Sequence, residues 1–230
     1  ISLNRRFFNR SIGMIVHSNW VYELTRNEYP DYPKECLACI AQGVPETPAQ
    51  NSDEMHKIRQ SLEIPEDALV IGLFGIISET KRITSSIKSF AKLLRKNSNA
   101  RLLLVGEIHS DYSKLIQKLR LKEKIRITGH VDFMTFYDYM NICDIVLNLR
   151  YPTQGETSAS LLRALSLGKP TIVSNGGAFT DFPDDVVLKV VYGTNDVDDI
   201  YEKLKLLSEN ELLRKSLAEN ARSYVRSYHS

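Results

Sequence analysis

A chain of 230 residues with 43% hydrophobic content is long enough to bury at least one full core, which argues against a disordered segment. Its formal net charge of +2 is nearly balanced, so nothing global argues for wrapping nucleic acid, although a local basic patch can still hold a small anion. Cys36, Cys39 and Cys143 support neither a disulfide framework nor a zinc site; the first two have redox spacing but fall on an expected strand rather than at a helix start.

No apolar run reaches the roughly 18 residues of a membrane span, and no signal-like segment opens the chain. It begins with Ile1 rather than Met, so a fragment of a cytoplasmic globular protein is expected, with peripheral membrane association left open.

In chain order, Ile12 to His17 predicts a strand, Trp20 to Asn27 a helix and Cys36 to Ile40 a second strand. Ala41 to Asn51 carries Gly43, Pro45 and Pro48 and reads as a linker, followed by a short helix from about Ser52 to Leu62. A longer alternation follows. Leu69 to Phe74 is a strand, Ile83, Ile87, Phe90, Ala91 and Leu94 mark one helix face, and Arg101 to Val105 is the next strand. Ser110 is expected to cap a helix carrying Leu115, Ile116 and Leu119, ahead of a strand from Ile125 to Thr128. Asp132 is expected to cap a helix whose Phe133, Phe136, Tyr137 and Met140 face inward, and Cys143 to Leu149 reads as a central strand covered on both faces. Strands at Thr171 to Ser174 and Val186 to Val190 complete the sheet. From Asp196 the chain is helical, with one stripe of Val197, Ile200, Tyr201 and Leu204 and another of Leu212, Leu213, Leu217, Ala221, Tyr224 and Val225.

Alternating strands and helices predict an α/β fold with a doubly wound parallel sheet, plus a βαβ remnant of a second domain. The expected division is residues 1–43 for the remnant, 44–66 for the linker and short helix, 67–209 for the complete domain and 210–230 for a terminal helix. In such sheets ligands lie beyond the carboxyl ends of the strands, so the loops after Phe74, Val105, Thr128, Leu149 and Ser174 should converge on one crevice. The loop after Leu149 is the most informative. Ser158 is a natural N-cap for a helix with Leu161, Leu162, Leu165 and Leu167, ended by Gly168 and Pro170. Thr157, Ser158, Ala159 and Ser160 are small enough to let an anion reach the unpaired amides of its first turn. In the other loops, Gly75 permits a tight turn before Lys81 and Arg82, and Gly176 and Gly177 offer unusual angles and exposed amides.

IVHSNW with IAQGVP, then FGIISETKR, LLLVGE, ITGHVDF, PTQGETS and LGKPTIVSNGG, occur in an order that resembles the GT-B nucleotide-sugar glycosyltransferases of family 4, also called group 1. The resemblance runs from about Ile12 to the last helix. It implies the end of an acceptor domain and a hinge, then a Rossmann-like C-terminal domain that binds the donor, then a helix crossing back to the acceptor domain. It further implies a retaining, metal-independent transferase that needs no cofactor, takes a nucleotide sugar as substrate, and passes the sugar to an unknown saccharide or lipid-linked acceptor in carbohydrate or cell-envelope biosynthesis. On this likeness Lys81 and Arg82 would bind the donor diphosphate as it departs. Gly75 would form the phosphate loop, and Gly129, His130 and Val131 would hold the base. Thr157, Ser158 and Ala159 would bind phosphate through backbone amides, and Glu156 would accept from sugar hydroxyls and favour the positive charge that develops on the ring.

Two departures stand out. The family commonly carries a second glutamate about two helical turns after the first; here Arg163 stands near that place, one residue short, and cannot accept from ribose hydroxyls. Arg163 is then a contact for phosphate or a surface residue. Many members also have an arginine directly after the first loop's glycine, where this chain has Ile76, so Lys81, Arg82 or Arg163 would have to substitute. Against these roles stand plainer ones: Lys81 and Arg82 as solvated helix-start charges, Glu156 as a dipole partner for the next helix, His17 as a packed core residue, and the Phe133, Phe136 and Tyr137 stripe as core. His109 and His130 stand between base contact and plain turn. The fragment is expected to bind a nucleoside diphosphate but to transfer sugar poorly or not at all. The alternatives are a non-catalytic binding or scaffold module and a sugar-nucleotide epimerase of the same architecture.

Overall fold

The structure is a computed structural model that describes residues 8, 10–45 and 52–229. A short parallel pair, β1 (Met14–Val16) and β2 (Leu37–Cys39), is linked by helix α1 (Asn19–Glu28), and α2 (Ser52–Ser61) follows. The large sheet contains β3 (Val70–Phe74), β4 (Arg101–Val105), β5 (Ile125–Gly129), β6 (Ile145–Asn148), β7 (Thr171–Ser174) and β8 (Leu188–Val190). Among these run α3 (Ile83–Leu93), α4 (Ser113–Lys118), α5 (Phe133–Asn141) and α6 (Ala159–Ser166); α7 (Asp196–Glu209) and α8 (Glu211–Tyr228) follow.

All neighbours in the large sheet are parallel, in the order β5-β4-β3-β6-β7-β8. The chain therefore starts at β3, winds outward through β4 and β5, and returns to the other side of β3 with β6. The α/β doubly wound expectation holds. Its winding reverses between β3 and β6, the point where such sheets open a crevice at the carboxyl ends of their strands.

Period two along each strand decides which core a side chain joins. Ile71, Leu73, Leu102 and Leu104 join Ile87 and Phe90 of α3 and Ile200 and Leu204 of α7. Val70, Phe74, Leu103 and Val105 point the other way, to Met140 of α5 and Ala164 of α6. Helices cover both faces, so β3 is buried at every position and apolar throughout instead of alternating. A third cluster joins α6, β7 and α8 through Leu161, Leu165, Val173, Ala221 and Val225.

Several local expectations are corrected. Ser110 does not cap α4; Asp111 Oδ1, the stronger acceptor, takes the Ser113 amide at 2.8 Å and the helix begins there. Strand β1 pairs with β2 alone over three residues, which leaves Ile12 fully exposed and Ile15 61% exposed. His17 lies just past that pairing and is exposed, its Nδ1 2.8 Å from the Ile40 carbonyl, so it is not a core residue. Cys36 belongs to a short 3-10 turn rather than to β2. Strand β8 begins at Leu188, because the Val186 and Val187 amides are both held by the Pro183 carbonyl. Phe133, in the first turn of α5, is 52% exposed, whereas Tyr137 and Met140 are buried as expected. Leu212 likewise faces solvent in the first turn of α8. Of the linker, residues 46–51 lie outside the described part.

Candidate functional site

Backbone hydrogen bonds draw the loops at the carboxyl ends together. The Gly75 amide donates to Val105 O at 2.9 Å, Ile77 N to Glu107 O at 2.8 Å and His109 N to Ile77 O at 3.0 Å, so the loop after β3 runs along the loop after β4. Gly106 N donates to Gly129 O at 3.0 Å and ties in the loop after β5. On the other side Tyr151 N donates to Thr80 O at 2.8 Å, and Arg150 N to Ser174 Oγ at 2.8 Å, which brings in the loops after β6 and β7. Gly106 is the tightest point: its φ is +139°, and a Cβ there would lie 2.2 Å from Gly75 O.

Lys81 ends a 3-10 turn (Glu79–Lys81), and its ammonium donates to the carbonyl of Phe74 at the end of β3. It sits against Gly75, whose φ is +91° and where a Cβ would meet Nζ at 2.8 Å. Burial, and then the nearby positive charge of Arg150, lower its pKa to about 8. No carboxylate pairs with it among the described residues.

Arg82 takes a different course. Its backbone adopts the left-handed region, φ 56° and ψ 38°, between the 3-10 turn and α3, and this turns the side chain into the protein. There it pairs with Asp196 at the start of α7 and donates to Ser174 Oγ at 2.9 Å and Val191 O at 3.1 Å. At 3% exposure it is not offered to a ligand, which corrects the expectation that Arg82 binds the diphosphate.

Across the switch point, Arg150 follows β6, and its Nε lies 3.1 Å from Glu156 Oε1. The other oxygen of Glu156 accepts from Gln154 N at 2.7 Å and Thr153 Oγ1 at 3.2 Å, so this carboxylate braces its own loop. The loop then enters α6. Ser158 Oγ accepts from Leu161 N at 3.3 Å, and Asn148 Nδ2 at the end of β6 donates to Ser160 Oγ at 3.0 Å, which fixes the first turn against the sheet. Ala159 is the first helical residue, so its amide has no intrahelical acceptor. Lys81 thus lies close enough to Arg150 to feel its charge, Tyr151 N reaches back to Thr80 O, and Arg150 meets Glu156 two residues before the Ser158 cap, which sets these groups along one rim. Arg82 is buried away from it.

Gly129 has φ +72° with open space where a Cβ would stand; His130 is exposed and Val131 packs on the second core. Thr157 is half-buried, with Oγ1 3.5 Å from His17 O. Arg163 lies over the rings of Phe133, Phe136 and Tyr137, 5.1 to 5.9 Å from their centroids. The stripe read as core therefore also seats a cation and joins α5 to α6. Gly176 and Gly177 are not an exposed amide nest: Gly176 N donates to Ser174 O at 3.0 Å, and Gly177 is buried at the start of a 3-10 turn, Gly177–Asp181. Among the described residues no group of three or more His, Cys, Asp or Glu is placed to hold a metal ion.

A half-buried lysine after β3 and a capped helix start of small residues after β6, on the two sides of the switch point, suit a phosphate-bearing ligand. The family model for glycosyl transferases group 1 matches residues 54–224. The chain belongs to this family. It is 29% identical over 168 residues to the capsular polysaccharide biosynthesis glycosyltransferase CapM of Staphylococcus aureus, across 69% of this chain and 42% of CapM. The chain spans about half the length of the curated relatives it matches. Its fold is similar to that of a glycosyltransferase from Rickettsia africae ESF-5, with TM-score 0.82 and 18% identity over 100% of this chain and 64% of that one. It is equally similar to Anabaena Alr3699/HepE, solved in complex with UDP-glucose, with TM-score 0.82 and 18% identity over 98% of this chain and 62% of that one.

Arg150, which meets Glu156 and acts on Lys81 at the carboxyl end of β6, is a residue of this group 1 chain that sequence reasoning passed over. The signal was present, since it is the first charged residue after a buried strand at a carboxyl end. Ser174, which accepts from both Arg82 and Arg150 N, was read only as the end of a strand.

Proposed function

We propose that this chain is the donor-binding, C-terminal part of a family 4 glycosyltransferase that uses a nucleoside-diphosphate sugar. Residues 67–209 form the donor domain in this reading, with residues 1–43 from the acceptor domain and residues 210–230 as the crossing helix. The observation that carries it is Lys81: a half-buried ammonium without a carboxylate partner, at the winding switch point, on the rim where α6 begins. The bound diphosphate would supply the missing anion. Donor complexes of a protein with the same fold, UDP-glucose in HepE, support the choice of ligand.

As the bond from sugar to diphosphate breaks, negative charge grows on the leaving oxygens. Lys81 and the first amides of α6 stabilise that charge in place, through charge-assisted hydrogen bonds of about 1.5 to 3 kcal/mol and a helix dipole worth roughly 0.3 to 2 kcal/mol. These groups are already oriented, so this reading calls on no metal for the departing group. Gly129, His130 and Val131 hold the base, and Glu156 accepts from sugar hydroxyls. Retention, a cytoplasmic site of action and an acceptor of saccharide or lipid-linked type follow from the resemblance. Among the described residues no helix is long and apolar enough to cross a membrane. In this reading the chain alone binds donor and transfers little.

Titration calorimetry with UDP, GDP and ADP tests the reading. Binding by at least one of them at millimolar concentration, weakened by Lys81→Ala, is expected; no binding by any would overturn it. A second reading, a non-catalytic binding module, draws on Glu156, whose two oxygens are both engaged by its own loop and Arg150. An intact protein that binds donor yet neither hydrolyses nor transfers it would favour that reading.

A further inference from the structure

We infer that Arg150 exchanges partners when donor binds: its guanidinium leaves Glu156 for the diphosphate, and one oxygen of Glu156 is thereby released toward the rim. This rests on the reading of the β3/β6 rim as a diphosphate seat, and it adds a cation and an order of events that the reading does not contain.

The other nearby cations are committed. Arg82 is buried against Asp196, and Arg163 lies across three rings. Arg150 is not fixed in that way. Its side chain is 23% exposed, and its Nε, although 3.1 Å from Glu156 Oε1, is buried without a well-aligned hydrogen bond. The pair is a charge contact and little more. Arg150 also stands close enough to Lys81 for the two positive charges to act on one another. Two like charges at one half-buried rim repel until an anion joins them, and a diphosphate offers each a charged oxygen. Only one of these cations has a carboxylate to relinquish.

The two oxygens of Glu156 are not equivalent. Oε2 is held by Gln154 N and Thr153 Oγ1, whereas among the described residues Oε1 meets Arg150 alone. Removing Arg150 from the pair frees Oε1 and leaves the carboxylate braced through Oε2. A carboxylate held in this way can accept from a hydroxyl of the transferred sugar, so diphosphate binding prepares the group that reads the sugar. In the unliganded protein Glu156 competes with the donor for Arg150.

Calorimetry with inorganic pyrophosphate tests this on the chain as it stands, with thermal unfolding of each variant as the check of folding. Glu156→Gln removes the competitor and is expected to tighten pyrophosphate binding about two- to fivefold, the range of a partly exposed ion pair. Arg150→Ala is expected to weaken binding about tenfold or more, Arg150→Lys by less, and Glu156→Gln should bring no gain once Arg150 is alanine. Loss of the negative charge alone would tighten binding in either background, so an equal gain from Glu156→Gln once Arg150 is alanine also overturns the exchange. Unchanged or weaker binding by Glu156→Gln, or unchanged binding by Arg150→Ala while Lys81→Ala still weakens it, overturns the exchange and leaves the diphosphate seat standing. If the wild-type chain does not bind pyrophosphate, both fall.

Discussion

Arg82 and Asp196 form a buried ion pair that ties the start of α3, one residue after Lys81, to the start of α7. The side chains are 2% and 10% exposed, and Ser174 Oγ and Val191 O take further donors from the guanidinium. Removing either partner leaves the other charge buried without its counterion. Arg82→Ala and Asp196→Ala are each expected to destabilise the chain by about 3 to 5 kcal/mol, and the double variant by less than the sum. Urea unfolding measures both. Additive losses would mean that the two charges do not depend on one another.

The difference between Lys81 and Arg82 also marks where sequence reading stopped. Both are cations at a helix start, and nothing in the spacing distinguishes them; the left-handed backbone at Arg82, which turns that side chain into the protein while Lys81 folds back onto Phe74 O, has no residue-type signature because glycine is absent there. The central strands β3, β6 and β7 were legible because burial on both faces makes them nearly continuously apolar, and the Asp132 and Ser158 caps because their side chains act on the nearest amides. Phe133 was misplaced because helical periodicity fixes a face but not how far the neighbouring element extends over the first turn. Arg150 was overlooked because its charge matters only through Glu156 and Lys81, two residues that the topology brings to it.

The close approach of Gly106 to Gly75 holds the loops after β3 and β4 in register. A Cβ at Gly106 would be 2.2 Å from a backbone oxygen, and both loops are pinned by hydrogen bonds, so neither can yield cheaply. Gly106→Ala is expected to destabilise the chain by about 2 to 5 kcal/mol, combining overpacking with a strained φ. Gly129→Ala is the control. Its φ is +72° but its surroundings are open, so only backbone strain of about 1 to 2 kcal/mol is expected. Equal losses in denaturant unfolding would remove the special role of the contact.

Ser158 has two effects that substitution can separate. As the N-cap of α6 its hydroxyl holds the Leu161 amide, and its alanine variant is expected to lose about 1 kcal/mol of stability and to loosen the first turn. An aspartate also caps and complements the helix dipole, which offsets part of the cost of placing a charge at a position only 5% exposed, so Ser158→Asp should be no less stable than Ser158→Ala. It would place a negative charge at the proposed phosphate seat, however, and should weaken nucleoside diphosphate binding by about tenfold or more. Unimpaired binding by Ser158→Asp would remove this helix start from the site.

Lys81 links stability, ligand affinity and pH in opposite directions. Burial lowers its pKa from the ordinary 10.5 to about 8, so the folded chain releases this proton more readily than the unfolded chain does. Below about pH 8 both states carry the charge and the cost of burying it is present in full. Between about 8 and 10.5 the unfolded state binds more protons, and that cost fades as pH rises. Lys81→Met is therefore expected to be more stable than the wild type at pH 7, by about 1 to 3 kcal/mol, with the gap closing toward pH 10. Diphosphate affinity should run the other way. It depends on the charged ammonium, so it is expected to be nearly constant from pH 7 to 7.5 and then to fall by up to about tenfold per pH unit above 8, a decline that Lys81→Met should abolish together with most of the binding. Calorimetry across this range, set beside urea unfolding at each pH, checks both trends. A methionine variant less stable than the wild type at neutral pH would show that Lys81 serves the fold rather than the ligand.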